Sequence, residues 1–341
     1  MSFDIFQREE SVITQARALL AERAIADPAA AAAYERLLKA YEKLSRTTRR
    51  LIKLSDRNEE QLNRLARTLN DKNEILKALS DRLQHELDTA RALQLGMLPR
   101  VFPAWSPQQP VQVYALMEPA REVGGDLYDC FYASKHIFCF LVGDVSGKGA
   151  AAAMFMARTR SLVRMAVEYS YNLRVEEILP ARIAEAVNRE LYQNNPERMF
   201  VTLFLGFLDI RTGALHYINA GHPAPHLLRG TNDIKGLDGK PEMPLGVRPN
   251  TVYQGRAAML HPGDAVVVYT DGVTEAMNIS EELYTTERLN SHLHTARKGT
   301  PEEIVRAVKD HVDAFTGLAT KADDVTLLAL RWHAPASDQW S

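Results

Sequence analysis

Hydrophobic residues recur at helical spacing over the first hundred positions. Ile5, Phe6, Val12, Ile13, Ala16, Leu19, Leu20 and Ala24 form one stripe over residues 4–25. Asp27-Pro28 interrupts it and predicts a second helix, with Asp27 as cap and Pro28 at the first helical position. From Tyr34 a single heptad frame runs to Met97. Its a and d positions read Tyr34, Leu37, Tyr41, Leu44, Thr48, Leu51, Ser55, Asn58, Leu62, Leu65, Leu69, Lys72, Leu76, Leu79, Leu83, Glu86, Ala90, Leu93 and Met97. No Gly or Pro intervenes before Gly96, so the pattern predicts a helix on the order of 100 Å long. Such a seam must face another helix: a parallel dimeric coiled coil is expected, the alternative being a hairpin or bundle folded back within one chain. The polar seam residues Thr48, Ser55, Asn58, Lys72 and Glu86 set register at a cost in stability. Arg46, Arg49, Arg50, Lys53 and Arg57 read as a solvated face.

Pro99, Pro103, Pro107 and Pro110 end the heptads, and a period of two begins. Val111–Met117 alternates as a strand with one wet face, and Ile137–Leu141 is an unbroken apolar run expected of a strand buried on both faces. Helical blocks are expected at about 149–168 and 175–194, the second with Pro180 in its first turns. Strands follow at 199–209, 214–219, 225–229, 252–259, 265–270 and 325–332, with Asp209–Gly213 as the hairpin turn between the first two. A further helix is expected at 301–315, with Thr300 capping and Pro301 first. Antiparallel strands with segregated helices make the class α+β. The expected organisation is an N-terminal helical, coiled-coil region over 1–98 for dimerisation and regulation, a linker over 99–108, a second domain over 109–333 and a frayed tail over 334–341.

Charge is nearly balanced, 41 basic residues against 43 acidic, so neither nucleic acid nor an anionic membrane is indicated as a partner. No apolar run approaches membrane-spanning length, and Met1-Ser2-Phe3-Asp4 has no signal-like character. The two cysteines, Cys130 and Cys139, lie in apolar surroundings and read as buried free thiols of a reducing compartment. A cytoplasmic protein is expected.

Chemistry concentrates where strands meet acidic residues. Val142-Gly143-Asp144-Val145-Ser146-Gly147-Lys148-Gly149 lies between a buried strand and a small-residue helix. A lone Asp in such a turn is commonly a helix cap. The arrangement recurs, however, in Tyr269-Thr270-Asp271-Gly272, in Gly124-Gly125-Asp126-Leu127-Tyr128-Asp129 and in Asp323-Asp324-Val325. Brought together, these residues supply hard oxygen ligands without sulfur or imidazole, which suits Mg²⁺ or Mn²⁺ and argues against zinc or copper.

These segments, with Asn219-Ala220-Gly221-His222-Pro223-Ala224-Pro225, resemble the metal-dependent protein phosphatases (PPM), specifically the bacterial SpoIIE-type branch. Five motifs in the family's order cover about residues 95–332, and Glu86–Pro99 resembles the linker helix leading into such domains. The resemblance implies a PPM-type α-β-β-α sandwich with two divalent metal ions, Mn²⁺ or Mg²⁺, at one end of the sheets. It implies that Asp144 bridges the metals, the Val145 carbonyl is a ligand, Asp271 and Asp323 hold the second metal, and Asp126 binds directly or through water. By the same resemblance, Asp126, Asp144 and Asp271 are expected to form the catalytic set. Asp323 is preferred over Asp324, and Asp129 is expected to brace its loop. Lys148 either pairs with substrate phosphate or caps local carbonyls, and Arg121 is a second phosphate candidate. His222 is expected to structure its loop. The phosphate-binding Arg of many eukaryotic relatives is not identifiable. The implied function is a serine/threonine phosphoprotein phosphatase using a metal-bridging water, acting on a phosphorylated STAS-domain anti-sigma-factor antagonist in a partner-switching pathway. The alternative is a catalytically silent interaction module signalling through its coiled coil. Coil movement at Leu93 and Met97 is expected to reach the metal site through the helical blocks 149–168 and 175–194.

Overall fold

The computed structural model describes residues 6–23, 25–103, 106, 109–172, 180–230, 233–237, 239–240 and 242–334. The chain divides into two compact units, Met1–Leu83 and Gln84–Ser341. The first holds α1 (Gln7–Ala21) and most of α2 (Pro28–Met97), a helix of 70 residues. Asp27 Oδ1 accepts the Ala29 N–H at 3.0 Å, which caps α2 where the sequence places the cap. Helix α1 folds back antiparallel on the start of α2, tied by Arg17–Glu42 at 2.8 Å and Arg49–Glu10 at 2.5 Å, with Ala16 and Leu38 buried between them. The folded-back hairpin therefore describes this segment. Farther along α2, Leu62, Leu65, Leu69, Leu76, Leu79, Leu83 and Leu93 are each more than half exposed. No described helix is long and apolar enough to cross a membrane.

The second unit contains β1 (Val111–Glu118), β2 (Leu127–Tyr132), β3 (Ile137–Val145), α3 (Ala150–Asn172), α4 (Pro180–Tyr192), β4 (Val201–Asp209), β5 (Ala214–Ala220), β6 (His226–Leu228), β7 (Ile234–Gly236), β8 (Arg256–Met259), β9 (Ala265–Tyr269), α5 (Asp271–Thr274), α6 (Thr285–Ala296), α7 (Pro301–Thr316) and β10 (Val325–Trp332). Two antiparallel five-stranded sheets run in the orders β1-β10-β9-β6-β7 and β2-β3-β4-β5-β8.

The side-chain period of two sorts the apolar strands into layers. Phe138, Phe140 and Val142 of β3 meet Val266 and Val268 of β9 and Leu328 and Leu330 of β10 between the sheets. The alternate residues Cys139 and Leu141 pack outward with α3 and α4, and Val267, Leu327 and Ala329 pack outward with α6 and α7. The order of layers is α-β-β-α, an α+β sandwich. Burial on both faces explains why these antiparallel strands are continuously apolar, a pattern commoner in parallel sheets.

Several boundaries differ from expectation. Leu95 and Leu98 of the helix end, expected to belong to the N-terminal region, pack against the inter-sheet core. Helix α4 begins at Pro180, and residues 173–179, where its start was expected, lie outside the described residues, as does 335–341 of the expected tail. Strand β8 begins at Arg256 and not at 252. Helix α6 and strand β7 were not foreseen: α6 buries only Leu289 and Leu293, and β7 buries no residue fully, so neither leaves a strong periodic signal. Cys130 and Cys139 are free and buried; one faces the inter-sheet core and the other the helical layer, so they cannot pair.

Candidate active site

Antiparallel pairing places the end of β3 beside the start of β2, and the end of β9 beside the start of β10. The acidic segments at those four positions thereby share one end of the two sheets. Asp144 and Val145 are the last residues of β3, Asp126 directly precedes β2, Asp271 opens the one-turn helix α5 after β9, and Asp323 and Asp324 precede β10.

Each carboxylate is held differently. Asp126 is almost fully buried, and its Oδ2 accepts from Thr270 Oγ1 at 2.9 Å and Thr326 Oγ1 at 2.6 Å. Asp324 turns to the chain itself: Oδ1 accepts the Ala120 N–H at 2.8 Å, and Oδ2 accepts the Gly125 N–H at 2.7 Å and the Asp126 N–H at 3.5 Å. Both its oxygens are thus committed to the loop between β1 and β2. Asp323 is half-exposed; its Oδ1 accepts the Asp324 N–H at 2.9 Å, and its Oδ2 faces Lys148 Nζ at 3.0 Å. Lys148 also donates to the Ala322 carbonyl. Gly272 is obligatory, since a Cβ there would stand 1.9 Å from the Asp324 carbonyl oxygen.

These carboxylates repel one another. Burial, followed by Asp271 and Asp323, pushes the Asp144 carboxyl up to about 7. Burial, then Asp144 and Asp324, raises Asp126, while burial, then Glu275 and Asp323, raises Asp271. Crowded carboxylates with raised pKa values form a site whose charge favours a cation. The donor set fits a hard divalent ion, although among the described residues no three His, Cys, Asp or Glu side chains already surround a common point.

The other candidates lie around this cluster. Arg121 is exposed and pairs with none of the described carboxylates. Asp129 is not a loop brace. It lies within β2, fully buried, and takes Arg164 at 2.8 and 3.0 Å and Arg160 at 3.1 Å from α3. His222 is buried, with Nδ1 at 3.0 Å from Thr202 Oγ1 and its backbone N–H donated to Asn219 Oδ1 at 2.8 Å. Burial lowers its pKa to about 3, so the imidazole is neutral. Thr202 pairs with Asp144 across β3 and β4, which places His222 behind the site. Thr270 and Thr326, which orient Asp126, were missed by sequence reading; their signal was a threonine within two positions of an acidic residue at the end of β9 and at the start of β10.

The profile of the family described as Stage II sporulation protein E (SpoIIE) matches residues 134–333. The chain is 31% identical over 265 residues to Protein IcfG of Synechocystis sp., an overlap covering 72% of this chain and 41% of that protein. It is 26% identical over 259 residues to Phosphoserine phosphatase RsbU of Bacillus subtilis, covering 76% of this chain and 73% of the relative. The chain therefore spans about two fifths of the length of one of these relatives and about three quarters of the other. The solved SiaA-PP2C domain of Pseudomonas aeruginosa shares the fold, with a TM-score of 0.65 at 20% identity, over 75% of this chain and 99% of that one.

Proposed function

The chain belongs to the SpoIIE family of PPM-type phosphatase domains, and from that premise we propose that it hydrolyses phosphoserine or phosphothreonine in a small partner protein. The observation that carries this reading is the crowding of Asp126, Asp144, Asp271 and Asp323 at one sheet end, with pKa values raised by burial and mutual repulsion in three of them. Asp144, the Val145 carbonyl, Asp271, Asp323 and Asp126 would hold two Mn²⁺ or Mg²⁺ ions, with Asp144 serving both. When bound, such ions lower the pKa of a shared water and clamp phosphoryl oxygens for in-line attack. Thr270 and Thr326 occupy one oxygen of Asp126 and so orient the other. Lys148, at the rim, offers a point charge to an arriving phosphate.

The SpoIIE-type resemblance supports a phosphorylated STAS-domain anti-sigma-factor antagonist as substrate, in a cytoplasmic partner-switching pathway, and RsbU is by name a phosphoserine phosphatase. The exposed leucine seam of α2 supports a homodimer through a parallel coiled coil. The test is Mn²⁺-dependent phosphate release from p-nitrophenyl phosphate and from a phosphorylated STAS protein. Asp144→Asn should lower turnover by at least 100-fold, since an amide cannot supply the charge a bridging carboxylate gives two ions. Wild-type turnover in that variant at saturating Mn²⁺ would remove the assignment.

A further inference from the structure

Gln94 is a polar residue in the last turn of α2, yet it is only 4% exposed. The burial of that turn is explained by its neighbours Leu95 and Leu98, which pack on the inter-sheet core. The amide at position 94 has its own use. Nε2 donates to the Gly124 carbonyl at 2.5 Å, and Oε1 accepts the Gly124 N–H at 3.1 Å. One side-chain amide thus takes both polar groups of one backbone residue, as a neighbouring strand would, and fixes its position and orientation together.

Gly124 is two residues before Asp126 and abuts Asp324: a Cβ on it would stand 2.4 Å from Asp324 Oδ2. That oxygen also accepts the Gly125 N–H, and Asp126 follows with its carboxylate in the acidic cluster. The links from Gln94 to Gly124, to Gly125 and Asp324, and to Asp126 are each a covalent bond, a hydrogen bond or a direct contact. The backbone of this loop is held besides by Asp324, which accepts the Ala120, Gly125 and Asp126 N–H groups, and by a long bond from the Val145 N–H to the Gly125 carbonyl at 3.4 Å; Gln94 is the partner of Gly124 itself. The expected route through α3 would have to move a helix that Arg160 and Arg164 tie to Asp129 in β2.

We infer that Gln94 is a positioning residue through which the last turn of α2 sets the divalent-ion affinity of the site. This rests on the phosphatase reading above. Gln94 acts through Gly124 on Asp126, and outer partners of metal ligands typically change affinity by about 10- to 100-fold when removed.

The experiment uses the full-length, metal-stripped protein, with Mn²⁺ titrated calorimetrically and thermal melting recorded alongside. Gln94→Met keeps the length and apolar bulk of the side chain and removes both hydrogen bonds. It should weaken Mn²⁺ binding about tenfold and return to near wild-type turnover at saturating Mn²⁺. Leu98→Ala, which disturbs the same helix end without touching Gly124, should lower Tm and leave the Mn²⁺ dissociation constant within about twofold. Should Gln94→Met fold poorly, Gln94→Glu, which keeps an acceptor for the Gly124 N–H but loses the donor, carries the same expectation. Wild-type Mn²⁺ affinity in the Gln94 variant, or losses in both variants that merely follow Tm, would overturn the inference alone. A wild-type protein that binds no Mn²⁺ would overturn the phosphatase reading and this one with it.

Discussion

Asp144 is buried with like charges beside it, and its carboxyl is pushed up to about 7, whereas in the unfolded chain it titrates near 3.8. Between those values the folded protein holds more protons than the unfolded one. Whatever stability protonation gives is complete below about pH 4 and lost as pH rises through 7. In metal-free protein, Asp144→Asn should therefore match the wild type near pH 4 and exceed it at pH 8, by a Tm difference on the order of 5 °C. Melts in EDTA across that range provide the check, and a gap independent of pH would contradict the assignment. Mn²⁺ should reverse the order at pH 8, because binding to the native state favours the wild type. Asp324 illustrates the opposite use of the same residue type: three backbone N–H groups occupy its oxygens, so it holds the loop.

At the scale of elements, α3 starts directly after the turn that follows Asp144 and Val145, and its placement depends on a buried ion pair. Asp129 is fully buried in β2 and receives two guanidinium groups, one of which also stacks 4.3 Å over the Phe131 ring. Removing one partner of a buried charge leaves the other poorly compensated, so Arg164→Leu should cost about 3 kcal/mol in urea unfolding. A loss below about 1 kcal/mol would place this pair with weak surface bridges. The helix should also lose protection over residues 164–170 in hydrogen exchange, since the remaining clamp, Arg160, lies one turn earlier and still holds the first half.

At the scale of the whole molecule, the seam of α2 and the two-sheet unit call for different cuts. A chain beginning at Gln84 loses most of the leucine seam but keeps Gln94, Leu95 and Leu98. It should be a monomer that retains Mn²⁺-dependent turnover. A chain beginning at Pro99 strips Leu95 and Leu98 from the core and Gln94 from Gly124, so it should melt several degrees lower and bind Mn²⁺ more weakly. Light scattering of the full-length protein at micromolar concentration should report a dimer; a monomer would refute the coiled coil as a dimerisation device.

Local pattern determined a good deal of this protein. The heptads and the Asp27-Pro28 break predict α2 almost to the residue, because a helix is written in neighbours three and four apart. Strands β3, β9 and β10 were legible as apolar runs, and the acidic motifs at their ends were visible one by one. Which carboxylate does what was decided by strand pairing. Asp323 and Asp324 are adjacent in sequence, yet the loop before β2, some 200 positions away, claims one and leaves the other to Lys148. Asp129 looked like part of a loop motif until α3 brought Arg160 and Arg164 to it. Gln94 looked like one more polar position near a helix end until the packing of Leu95 and Leu98 turned it onto Gly124. In each case the deciding partner is remote in the chain, and a hydrogen bond or ion pair between remote residues leaves no period in the sequence that carries it.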